Sequence, residues 1–217
     1  MNEPEWLACG EPRKMLRYLE GKATDRKLRL FACACCRRIW HLLPHQSNRD
    51  LVAAVEDHPA GAFSDPDLEA AIVASSRHES QFVVDQGYWA VKYLGRSYYK
   101  LTPFGSAVAV AFLVARRARA KGEAAAEEAT QASLVREGFG NPFCQVTLDP
   151  SWLVWNSGTI PKLAQSIYDD RAFERLPILA DALEEAGCTD PAILDHCRNQ
   201  AEHARGCWVV DLILAKG

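Results

Sequence analysis

Proline punctuates this chain at the beginnings of helices. Pro12, Pro103, Pro161, Pro177 and Pro191 each stand at or near the start of a stretch with helical apolar spacing. Proline lacks an N–H and clashes with the preceding turn, so it suits the first helical turn and breaks later ones. Five such openings, with little period-two alternation between them, constrain the fold to one class. The sequence predicts an all-α protein, a compact multi-helix bundle of about eight or nine helices.

The intervening signals agree. Gly21 closes the helix that Pro12 opens, and Thr24 caps a long one that stops before Pro44. On that helix Leu28, Phe31, Cys35, Ile39 and Leu42 share one face. Asn48 is the expected cap of a helix over 48–58, and Ser64 with Asp67 has capping-box spacing. Gly87 is expected to bend or split the helix that follows, and Thr102 precedes the helix at Pro103. Alanine and glutamate make 123–138 a strong helix. Residues 139–159 then lose the helical period and read as a long aromatic-rich connection, with one short strand at 144–148. Helices are expected over 161–172, 175–186 and 190–198, the second ended by Gly187 and the third capped by Thr189. The last, 207–216, is apolar nearly all round and should be buried.

A chain of 217 residues can form one large domain. A single helical domain over 1–217 is expected, and the 139–159 connection marks the seam for a subdivision into 1–138 and 139–217. The net charge of −3 argues against a broad nucleic-acid footprint. The most apolar run, 105–115, is too short to span a bilayer and is followed by Arg116 and Arg117. With no basic and apolar leader at the N-terminus, a cytoplasmic protein is expected. Its eight cysteines should then be thiols or metal ligands rather than disulfides.

Several long phrases resemble a bacterial protein family of the planctomycete type: DRKLRLFACACCRRIWHLL (25–43), FGNPF (139–143), VTLDPSWL (146–153), LPILADALEEAGC (176–188) and HARGCWVVDLILAKG (203–217). The match is loose over 46–137. The resemblance implies no activity, substrate or catalytic residue.

Two clusters carry candidate chemistry. Cys33 and Cys36 are three apart on a helix, which brings both sulfurs to one face as a chelate needs. His196, Cys197, His203 and Cys207 lie near the other end. A zinc ion held by Cys33, Cys36, His203 and Cys207 would tie the two ends of the chain together. Against this, cysteine is a small hydrophobe that fills helical cores, and no zinc-knuckle loop is present. Arg29 and Arg37 favour a reactive thiolate at Cys33 and Cys36, but a mid-helix position lacks the dipole that activates redox pairs. Packed thiols are the preferred expectation.

The carboxylates Asp169, Asp170, Glu174, Asp181, Glu184 and Glu185 read as solvated helix faces. Asp211, inside an apolar helix, should pair with Arg37, Arg38 or Arg205. No phosphate loop, nucleophile elbow or metalloprotease motif occurs, so no residue is assigned to catalysis. Tyr88, Trp89, Lys92, Tyr93, Arg96, Tyr98 and Tyr99 crowd aromatic and cationic groups into one stretch, the composition of a partner-binding face. The preferred function is therefore a non-catalytic interaction or regulatory module that binds another protein. A zinc-binding helical protein is the first alternative, and a thiol- or metal-dependent enzyme the second.

Overall fold

The computed structural model describes residues 1–43, 45–58, 66–76, 90–91, 94, 102–119, 122–199 and 201–216. Among these, twelve α-helices and three short 3₁₀ turns account for the regular structure, and no strand occurs. The protein is all-α. No helix of the described residues is long and apolar enough to cross a membrane. The chain divides into two compact units, Ala8–Val135 with Met1, and Asn2–Leu7 with Arg136–Gly217.

In the first unit, α2 (Pro12–Leu19), α3 (Asp25–Arg38), α4 (Gln46–Asp57), α5 (Pro66–Ser76) and α6 (Pro103–Arg119) precede most of α7 (Ala124–Phe139). Helix α3 is the centre: α4 and α6 pack against it, and Leu28, Leu30, Phe31, Ala32, Cys33, Ala34, Cys35 and Cys36 are all buried. Small residues let neighbours approach this helix from several sides, so burial extends well beyond the one face that its leucines mark. Thr24 caps it as expected, its hydroxyl accepting the Lys27 N–H at 3.3 Å, and Thr102 Oγ1 accepts the Gly105 N–H at 3.1 Å at the start of α6. Arg37 pairs with Glu56, and Arg38 grips Glu127 with Nε and a terminal nitrogen, the latter at 2.7 Å. Both arginines thus pair with carboxylates of their own unit.

The second unit contains α1 (Glu3–Ala8), the end of α7, α8 (Pro150–Val154), α9 (Thr159–Asp170), α10 (Leu176–Glu185), α11 (Pro191–Arg198) and α12 (Trp208–Ile213). Helix α9 buries Ile160, Ala164 and Ile167, one stripe at helical spacing, against α8, α10 and α12. Leu176, Leu179 and Leu183 of α10, Ile193 and Cys197 of α11, and Val209, Val210 and Ile213 of α12 complete the core. The N-terminal helix is pinned by Trp6, which is fully buried and donates its indole N–H to Gly140 O at 3.1 Å. Asn141 Nδ2 donates to Glu3 Oε1 at 2.6 Å, and Arg136 donates to Trp6 O at 3.3 Å.

Several local expectations are corrected. Residues 144–148 form no strand; with no neighbouring strand to pair, this extended chain leads into α8, capped by Asp149, whose carboxylate accepts the Ser151 N–H at 2.8 Å. Asn48 is no cap. Helix α4 begins two residues earlier, and buried Asn48 accepts the Ser75 hydroxyl at 2.8 Å, a polar tie between α4 and α5. Asp190, not Thr189, caps α11, accepting the Ala192 N–H at 2.8 Å. The last helix covers only Trp208–Ile213, with Val209, Val210, Asp211 and Ile213 buried. Gly187 does end α10, at φ +94°, where it needs no Cβ accommodation. Ser64, Gly87 and all seven aromatic and cationic candidates from Tyr88 to Tyr99 lie outside the described residues.

Candidate metal centre

Four side chains of the second unit converge: Glu137, His196, His203 and Cys207 offer ligand atoms that all lie within 4.8 Å of one another. Each is set by local structure. Glu137 stands in the last turn of α7, which Gly140 ends at φ +63° with its N–H bonded to Arg136 O at 2.8 Å. His196 stands in the last turn of α11. The connection after it returns through a turn at Gly206, φ +93°, and places Cys207 at the N-cap of α12. His203, between them, points its Nε2 at Asn199 O, 3.1 Å away.

The geometry centres on one carboxylate. Glu137 Oε2 lies 2.9 Å from His203 Nδ1 and 3.2 Å from His196 Nε2. Cys207 Sγ lies 3.2 Å from the same His196 nitrogen. The group is largely shielded: side-chain exposure is 6% at Glu137, 8% at His203 and 15% at His196, and Cys207 is fully buried. Glu137 Oε1 is buried without a hydrogen-bond partner. A buried carboxylate at the negative end of a helix dipole is doubly disfavoured and needs positive charge beside it.

The protons follow from the partners. Trp208 Nε1–H, which can only donate, meets His196 Nδ1 at 3.0 Å. Neutral His196 therefore carries its proton on Nε2, aimed at Glu137 and Cys207. Both nitrogens of His203 face acceptors. Burial disfavours its cation, but the hydrogen bond and charge of Glu137, with the Asn199 carbonyl, outweigh that and raise its pKa. Burial first, then the charge of Glu137, push the Cys207 thiol well above its ordinary value, against the Val210 backbone amide, which lowers it. In this proton-bearing form the site is a hydrogen-bonded ion pair.

That form has a pH signature. A histidine raised above its unfolded value stabilises the fold below about 6.5 and surrenders that contribution as pH climbs through the folded pKa. Burial pushes Cys36 and Cys197 up to about 12, so their contribution holds below 9.0 and is lost between 9.0 and about 12. Denaturation of metal-free protein followed by circular dichroism should show stability falling in two alkaline-going steps. A gain in stability between pH 6 and 8 would contradict the protonated His203.

The expected ligand set is redistributed. His203 and Cys207 are brought together, but Glu137 and His196 complete the group, not Cys33 and Cys36. Those two thiols lie in the first unit, fully buried, with Cys33 Sγ donating to Val52 O at 3.9 Å. Burial, then Glu56, holds both protonated against the opposing charge of Arg37. All eight cysteines are free of disulfides. No protein-family model matches this chain, and no curated protein or solved structure does either.

Glu137 carried no signal as a ligand, because a single carboxylate in a polar helical run looks solvated. Its position does carry one: a carboxylate in the last helical turn opposes the dipole. Beside the group, Arg171, Phe173, Glu174, Pro177, Arg198 and His203 line an open cleft of about 540 Å³. Arg198 there is already engaged by Asp181 at 3.0 Å and Glu184 at 2.6 Å.

Proposed function

We propose that this chain is a zinc-binding helical protein, with Glu137, His196, His203 and Cys207 as ligands and the metal serving the fold of the second unit. The carrying observation is the convergence of one thiol, two imidazoles and one carboxylate in a buried pocket, with Glu137 Oε1 unpartnered. Zinc accepts sulfur, nitrogen and oxygen donors together, and tetrahedral bonds of about 2.0–2.3 Å imply donor separations of about 3.3–3.8 Å. The 2.9–3.2 Å contacts would open slightly and the longer donor separations, up to 4.8 Å, would close to admit it. Asn199 O supports the reading from behind, since a ligating histidine usually donates its other N–H to a carbonyl. Four protein donors, Glu137 and Cys207 buried and the two histidines partly so, would fill a tetrahedral shell, which favours a structural ion over a catalytic one.

The test is metal analysis of protein purified without chelator. About one zinc per chain is expected, and its removal should lower the melting temperature. Binding displaces protons from His203 and Cys207, so zinc-dependent stabilisation should grow with pH, opposite in sign to the metal-free protein. Cys33→Ala should retain the zinc and cost less than about 2 kcal/mol, measured by urea unfolding. Protein without zinc that takes up none on titration would refute the proposal.

The partner-binding alternative rests on Tyr88, Trp89, Lys92, Tyr93, Arg96, Tyr98 and Tyr99, which the described residues do not include, so metal binding is the reading that stands on geometry.

A further inference from the structure

Trp208 sits against the metal group without offering it a ligand. Its indole donates to His196 Nδ1 at 3.0 Å, and the two rings lie with centroids 5.1 Å apart. The ring also lies against Gly140: a Cβ there would come within 3.2 Å of Trp208 Cγ and 3.3 Å of Cδ2. Glycine suits the φ of +63°, and any Cβ there would press on the ring. The ring is held where its N–H meets Nδ1.

This arrangement conflicts with ligation. Neutral imidazole has one N–H and one lone pair. While the indole N–H occupies the Nδ1 lone pair, the proton sits on Nε2, the atom that faces Glu137 and Cys207. A metal ion at the group needs the Nε2 lone pair. The proton must then move to Nδ1, where it would oppose the indole N–H.

We infer that Trp208 is a latch on this site: its indole N–H holds His196 in the tautomer that blocks the ligating nitrogen, and metal loading requires that bond to break. The inference rests on the zinc reading above and adds to it a residue that sets affinity without touching the ion. Loading moves the His196 proton from Nε2 to Nδ1, and the indole turns from Nδ1. The latch weakens binding by the worth of one hydrogen bond and makes the metal-free form a defined state of its own.

The experiment pairs a zinc titration, read by competition with a chromophoric chelator, with nitrogen NMR of the histidine rings. Trp208→Phe keeps a ring on Gly140 and removes the donor. It should bind zinc more tightly than the parent, roughly three- to tenfold, the equivalent of one neutral hydrogen bond. In unaltered protein, His196 should be protonated on Nε2 before zinc and on Nδ1 after it, with the Trp208 indole resonance shifting in step. Equal or weaker binding by Trp208→Phe, or a His196 already protonated on Nδ1 without metal, overturns the latch while leaving zinc binding intact. Should Trp208→Phe fail to fold, the NMR of the unaltered chain decides alone. If neither protein binds zinc, the metal reading fails and the latch with it.

Discussion

Cys207→Ala should lose tight zinc binding, with affinity falling by more than about 100-fold. Cys207 is the one thiolate donor in the group, it is fully buried, and its backbone is fixed as the N-cap of α12 with N–H bonded to Ala204 O at 3.0 Å. Removing a supporting partner of a ligand already costs about 10–100-fold, and removing the ligand itself costs more. The effect extends to stability. A ligand present at about a thousand times its Kd stabilises the folded state by about 4 kcal/mol. Most of that increment should vanish in Cys207→Ala, while the metal-free proteins should melt close together, because alanine replaces a small apolar neighbour of the core. The measurement is a pair of thermal melts, with and without equimolar zinc. A zinc-dependent shift of undiminished size in Cys207→Ala would place the metal elsewhere.

Trp6→Ala should destabilise the second unit by about 3–5 kcal/mol, the range for truncating a buried tryptophan. Trp6 is the sole buried residue of α1, so this one side chain carries the docking of the N-terminal helix. Its indole N–H to Gly140 O bond at 3.1 Å also holds the turn on which Trp208 rests. Trp6→Phe is the milder change. It keeps an aromatic ring but loses the hydrogen bond and part of the buried indole, and should cost about 1–3 kcal/mol, less than the alanine change. Urea unfolding of both variants, followed by circular dichroism, checks the order. An alanine variant as stable as the parent would show that α1 is dispensable to the unit.

Much of the fold was legible because its signals are local. Prolines at helix starts, Thr24 at a cap and Gly187 at a helix end each act within one or two turns. The misreadings are those where tertiary contact overrides such signals. Asn48 has the chemistry of a cap, yet Ser75, 27 residues away, recruits it into the interior. Cys33 and Cys36 have chelating spacing, yet spacing on a helix face does not say what the face meets, and here it meets a core. The candidate metal group was half legible. His203 and Cys207 stood out as clustered donors, and His196 belonged to the same run. Glu137 was invisible because its meaning comes from His203, 66 residues further on.

X-ray absorption at the zinc edge of metal-loaded protein tests the central claim most directly, since it counts sulfur ligands. The account predicts one sulfur at about 2.3 Å and three nitrogen or oxygen ligands at about 2.0–2.2 Å. Two or more sulfurs around the ion, or a shell of nitrogen and oxygen alone, would contradict it.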